Sequence, residues 1–154
     1  MVSKLQGDNI ANIEKAKSLT AGLSAAQMSW RPQTGKWSIA QNLAHLNFGF
    51  PYLDTLASSI ATARAKGIIG NGPFRYGWLP TWIMKSQEPP PKRNFKAAKG
   101  TTPAPDVDAA KALADYLRMG ARLTELIQEG DGLTWHELRL RGLSSGQKCL
   151  WAPS

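Results

Sequence analysis

The sequence predicts an all-α helical bundle formed by a single domain. Apolar residues recur at spacings of three or four along three segments, which is the period of an amphipathic helix. Serine or aspartate residues suited to helix capping stand near the start of each segment. The chain has 154 residues, of which 42% are hydrophobic and 19% are charged, as is typical of one globular domain. We therefore expect residues 1–154 to form one up-down bundle on a four-helix plan.

The first predicted helix covers residues 8–23, with Asp8 as its N-cap. Ser24–Gln27 reads as a capping box, in which the serine and the glutamine satisfy each other's backbone amides, and it predicts a short helical turn. Pro32 and Gly35 then predict a loop that reverses the chain. The apolar stripe of this first helix consists of Ile10, Ile13, Ala16, Leu19 and Leu23.

A second capping box, Ser38–Gln41, predicts the start of the second helix, which we expect to run to Lys66. Gly49 and Pro51 predict a kink near residues 47–51, because proline removes a backbone donor and crowds the preceding turn. The predicted apolar stripe is Ile39, Leu43, Leu46, Phe50, Leu53, Ala57 and Ile60.

A long basic connection rich in glycine and proline follows, at residues 67–105. Connections of this length inside a domain are often functional. Its aromatic residues could pack on the bundle or line a pocket. Its cations favour a solvated basic loop over a nucleic-acid contact, since no nucleic-acid motif accompanies them. The cations are Lys85, Lys92, Arg93, Lys96 and Lys99, and the predicted pocket-lining residues of the chain are Trp37, Tyr76, Trp78 and Trp82.

Asp106 or Asp108 is predicted to cap the third helix, which Gly130 ends. Its apolar stripe is Val107, Ala110, Leu113, Leu117, Ala121, Thr124 and Ile127. The segment 131–154 is atypical, because the residues after Gln147 are too few for another helix of similar length. The sequence therefore predicts a last helix that is short or missing.

Three motifs carry a family likeness: "SWRP" at Ser29–Pro32, "GKWS" at Gly35–Ser38 and "AHL" at Ala44–Leu46. In this order and spacing they resemble the signature of the DinB-like family of small helical bundles, which includes metal-dependent enzymes and thiol-dependent S-transferases. The basic linker "EPPPKRNFKA" at 88–97 is also similar to that of a subgroup. The resemblance covers most of residues 1–147 and implies metal-dependent hydrolase or thiol-dependent transferase activity.

The resemblance further implies a divalent metal, nickel or zinc, held by three histidines. His45 matches the ligand on the second helix, but nothing matches the two on the last helix. Leu143–Gln147 resembles the beginning of that helix, and the chain then departs from the family pattern. The expected metal site is thus incomplete and the chain reads as truncated before or within the last helix.

From the residues alone, His45 lies at the edge of the predicted apolar stripe. It could be a hydrogen-bonded boundary residue or a metal ligand, since neutral imidazole serves both roles. His136, the other histidine, could join His45 and a carboxylate such as Glu137 as ligands, although a surface position is favoured.

Two functions remain open: the metal-dependent enzyme, acting on an unknown small molecule, and a non-catalytic bundle remnant. The remnant would form a homodimer or bind a partner through an apolar groove left by the missing helix. We expect no membrane span and no nucleic-acid partner, and a cytoplasmic location, because no long apolar run or signal-like segment is present. The single cysteine, Cys149, excludes an internal disulfide.

Overall fold

The computed structural model describes residues 2–68, 70, 78, 82, 85, 97 and 100–133. Within these residues the chain is mostly helical, and the predicted all-α bundle is confirmed. The helices are α1 (Val2–Thr20), α2 (Ala25–Ser29), α3 (Ile39–Asn47), α4 (Phe50–Ala65) and α5 (Ala109–Glu129). No described helix combines the length and apolar character needed to cross a bilayer. Tyr76, His136, Cys149 and residues 134–154, with their predicted short or missing helix, lie outside the described residues.

Helix α1 begins at Val2, so the prediction of Asp8 as an N-cap is wrong. Asp8 lies inside the helix, where its carboxylate accepts a 2.6 Å hydrogen bond from the Lys4 ammonium one turn earlier. An aspartate four residues after a lysine can therefore support a continuing helix through an ion pair. The sequence pattern alone did not separate this role from capping.

Both predicted capping boxes are confirmed. In the first, Ser24 N donates to Gln27 Oε1 at 2.8 Å, and Gln27 N donates to Ser24 Oγ at 3.3 Å. In the second, the corresponding distances between Ser38 and Gln41 are 3.1 Å and 3.2 Å. Each box satisfies two backbone amides that a helix start would otherwise leave unpaired, which explains why α2 and α3 begin where they do.

The predicted kink is also confirmed, as a break at Phe48 and Gly49 between α3 and α4. Pro51 falls in the first turn of α4, where a missing backbone donor costs nothing. At the start of the third predicted helix, Asp108 is the N-cap of α5, and its side chain accepts from Lys111 N at 3.0 Å. Gly130 caps the other end of α5, as the sequence predicts.

The predicted apolar stripe of α3 is confirmed at Leu43 and wrong at Ile39 and Leu46. Ile39 and Leu46 are 40% and 49% exposed, whereas Ala40 and Leu43 are buried. The buried face is therefore turned toward small residues, and Ala44 is partly buried on it. Alanine side chains let α3 lie close to α5, and this close packing overrides the preference of the larger aliphatic residues for burial.

Helix α5 lies at the centre of the described bundle and packs against α1, α3 and α4. Two apolar clusters surround it. The cluster at its N-terminal half joins α2, α3 and α5 through Met28, Ala40, Leu43, Ala109 and Ala112. The cluster at its C-terminal half joins α4 and α5 through Leu53, Ile60, Ala63, Leu126 and Leu133.

Helix α1 meets α5 at a close contact centred on Gly120. A Cβ atom added at Gly120 would lie 2.7 Å from Ile13 Cγ1, which is shorter than side-chain packing allows. Asn9 Nδ2 donates to Gly120 O and to Thr124 Oγ1, both at 2.8 Å. The predicted apolar residues Ile10 and Leu19 of α1 are instead exposed, because polar Asn9 occupies the face toward α5 and finds partners there.

We predict opposite effects for alanine at two helical glycines. Gly7→Ala, with open space around the new Cβ, should stabilise the fold by about 0.5–1 kcal/mol through helix propensity. Gly120→Ala gains the same propensity but should destabilise overall, because overpacking against Ile13 costs about 1–3 kcal/mol. Denaturant unfolding of both variants measures the difference.

An Ile13→Ala background provides the control for this contact. With the clashing side chain removed, Gly120→Ala should become stabilising, as Gly7→Ala is. A Gly120→Ala effect that stays the same in both backgrounds would contradict the close α1–α5 contact.

Candidate functional site

The imidazole of His45 is held by the backbone just before α5. His45 Nδ1 lies 2.8 Å from the carbonyl oxygen of Thr101, and the side chain is partly buried. A carbonyl oxygen only accepts hydrogen bonds, so Nδ1 carries a proton in this contact. In the neutral ring, Nε2 is then the nitrogen with a lone pair. The hydrogen bond therefore selects the tautomer whose Nε2 can accept a proton or bind a metal.

Two aromatic rings stand beside this imidazole. The Trp37 ring centroid is 4.9 Å from that of His45 with the planes tilted by 49°, and the Phe48 centroid is 6.3 Å away in an edge-on arrangement. Trp37 immediately precedes the Ser38 cap, so the capping box that starts α3 also places this indole near the ring of His45. The imidazole is thus restrained by ring packing as well as by its hydrogen bond.

Gln41, one turn before His45 on α3, uses both ends of its amide. Its Oε1 accepts from Ser38 N in the capping box, and its Nε2 donates to Ala104 O at 3.0 Å. The residue is only 4% exposed. A buried amide whose donor and acceptor are both engaged is stabilising, whereas loss of either partner would leave a buried polar atom unsatisfied.

A third side chain extends the same set of contacts. Arg31 Nη2 donates to Pro105 O at 2.8 Å. Together, Arg31, Gln41 and His45 bind main-chain carbonyls of residues 101–105, which we call the strap. Pro103, between the bound carbonyls of the strap, is buried.

The described residues do not supply a complete metal centre. They contain no group of three or more histidine, cysteine, aspartate or glutamate side chains placed to hold a metal ion. His45 stands as one candidate ligand, and the three-histidine set implied by the family likeness does not fit this part of the chain. His136, for which the sequence favours a surface position over a ligand role, lies outside the described residues.

The predicted pocket-lining tryptophans occupy different surroundings. Trp37 is half-buried against His45, while Trp78 and Trp82 are 81% and 63% exposed. Their assignment to a substrate pocket, together with that of Tyr76, stays a prediction.

Sequence reasoning missed Arg31, the second role of Gln41 and the strap. A signal was available in part, because glutamine rather than glutamate at the third position of a capping box leaves an amide donor for another partner. The acceptors are backbone carbonyls, which no residue type marks.

We predict that Gln41→Glu will destabilise the protein by roughly 2–4 kcal/mol, because a buried carboxylate loses the bond to Ala104 O and faces that oxygen without a proton. The capping acceptor for Ser38 N is kept. Thermal or urea unfolding at neutral pH gives the measurement.

The matched control is Gln27→Glu in the other capping box. Gln27 is exposed, and a carboxylate near a helix N-terminus is favourable, so the stability should change by less than about 0.5 kcal/mol. Equal effects at positions 41 and 27 would argue against the contact with Ala104.

Comparison with known proteins adds a family match. The model of the DinB superfamily matches residues 11–142, which include α2 to α5, the His45 site and the strap. No curated protein and no solved structure matches the chain.

Proposed function

This chain belongs to the DinB superfamily, and from that membership we propose a function of the metal-dependent hydrolase or thiol-dependent transferase class, with His45 as the metal ligand from α3. The observation that carries the proposal is the hydrogen bond from His45 Nδ1 to Thr101 O. Metal-binding histidines commonly donate their other ring N–H to a carbonyl or carboxylate, which fixes the ring and leaves the ligating nitrogen free of its proton. Nε2 of His45 therefore has the lone pair that a metal ligand needs.

The two histidines of this sequence do not suffice for the three-histidine set that the family likeness implies. A catalytic zinc site usually has three protein ligands and one open position, and the whole sequence contains two histidines. One imidazole binds nickel or zinc only weakly, since affinity in such sites comes from several ligands acting together. We assign His45 to metal binding and assign no residue to a catalytic step.

Titration of nickel or zinc into chelator-treated protein tests the ligand assignment. We predict saturable binding of up to one ion per chain, and a loss of roughly tenfold or more in affinity in His45→Ala, because the α3 ligand is removed. His136→Ala is the control for the other imidazole and should bind as the unaltered protein does, since His136 matches no ligand position of the family. Equal affinities with and without His45 would remove it from the site.

We propose as a second candidate a non-catalytic bundle that associates with itself through α3. The observation that favours it is the exposure of Ile39 and Leu46, which lie two turns apart on one side of that helix. An amphipathic helix can bury such a side against a groove or helix of a partner. A homodimer that buries this α3 strip, Ile39 and Leu46, would remove both side chains from water and would need no metal.

Light scattering coupled to size-exclusion chromatography tests this second candidate. We predict a mass of twice 16.8 kDa for the unaltered chain and of one chain for the double variant Ile39→Ser, Leu46→Gln. Leu19→Gln on α1 is the matched control, because Leu19 is 65% exposed but lies outside the α3 strip. A monomer at concentrations of tens of micromolar would exclude the homodimer.

A further inference from the structure

We propose that Arg31, Gln41 and His45, which we call the fasteners, set the position of the strap (residues 101–105) over α3. His45 is then a positioning residue of the strap whether or not a metal binds. All three fasteners are side-chain donors that reach main-chain oxygens, at distances of 2.8–3.0 Å. The inference uses the same bond from His45 Nδ1 to Thr101 O that supports the proposed ligand role, but it assigns that bond a structural role that needs no metal.

Two donors on neighbouring turns of α3 bind two carbonyls of the strap. Gln41 and His45 are four residues apart and so lie on one face of α3, one turn from each other. Their acceptors, Ala104 and Thr101, are three residues apart and in the opposite chain direction. The strap therefore runs antiparallel to α3 at this contact.

The strap sequence, "TTPAP", favours an extended backbone before the strap docks. Pro103 and Pro105 have restricted φ angles and bias Thr102 and Ala104 toward extended backbone. The unfolded strap therefore has fewer conformations to lose on docking. Prolines have no N–H, so the carbonyl oxygens are the natural points of attachment. Pro103, buried between the fastened carbonyls, adds an apolar anchor.

The strap also connects two parts of the fold. Immediately after it, Val107 packs on the apolar cluster of α2, α3 and α5, and Asp108 caps α5 through Lys111 N. The three side-chain contacts to residues 101–105 thus lie directly before the start of the central helix. The cap of α5 is a separate contact that does not involve Arg31, Gln41 or His45.

Two near-isosteric variants separate the nitrogens of His45. The amide nitrogen of asparagine lies close to the place of Nδ1, and that of glutamine lies close to the place of Nε2. His45→Asn should keep the bond to Thr101 O, with the folded-to-unfolded ratio within about threefold of the unaltered protein. His45→Gln should lower that ratio roughly fivefold to tenfold through loss of the hydrogen bond.

Carbon-13 NMR of the backbone carbonyls gives a local readout. The Thr101 carbonyl resonance should move in His45→Gln and stay near its original position in His45→Asn. Arg31→Met is a second test at an exposed side chain, where failure to fold is not expected, and it should move the Pro105 carbonyl resonance. Unchanged Thr101 and Pro105 resonances in all three variants would overturn the strap proposal.

The outcome is separable from that of the metal test. Both His45→Asn and His45→Gln remove the imidazole, so both should lose any metal that Nε2 binds. A stability difference between the two variants in a protein that binds no metal supports the strap and removes the metal function. Metal binding with identical stability and identical Thr101 resonances in the two variants supports the metal function and removes the strap.

Discussion

The side-chain amide of Gln41 makes two hydrogen bonds on which the rest of the described bundle depends. Its oxygen completes the capping box that starts α3, and its nitrogen binds the strap that leads to the central helix. Because this amide is buried, water cannot replace either partner without opening the structure. One side chain therefore links the start of α3 to the strap that leads to α5, where Arg31 and His45 add two further contacts.

Close approach of the helices follows from small residues rather than large ones. Ala40 on α3 meets Ala109 and Ala112 in the cluster around the first half of α5, and Gly120 admits Ile13 of α1 to the second half. Backbones that approach this closely bring polar side chains into reach of main-chain oxygens. Asn47 Nδ2, for example, donates to Ala112 O at 2.9 Å. Packing and hydrogen bonding thus depend on the same short distances.

The sequence predicts those features of the fold that depend on residues within one helical turn. Ser38, Asp108 and Pro51 act within one turn, and the helix starts and the kink that they predict are confirmed. The side of α3 that faces the core could be predicted only in part from hydrophobicity, since Leu43 lies on it with Ala40 while Ile39 and Leu46 are exposed. That choice depends on how near α5 lies, which is a property of the assembled bundle.

The candidate site shows the same division. His45 could be found from a motif, and so could Trp37 beside it. The strap could not be found in this way, because it takes part only through the backbone carbonyls of Thr101, Ala104 and Pro105, which accept the three hydrogen bonds. A donor such as Arg31 has no visible partner in the sequence when the acceptor is main chain more than seventy residues away.

The two nitrogens of His45 give this position two independent chemical reasons to be histidine. Nδ1 binds Thr101 O within the part of the chain that the structure describes, and this contact needs no other ligand. Nε2 gains a role as a ligand only if further donors lie near it, and the described residues do not provide them. The contact of Nδ1 therefore accounts for a histidine at this position without a metal. The ligand function has to be tested at Nε2, with the bond at Nδ1 preserved.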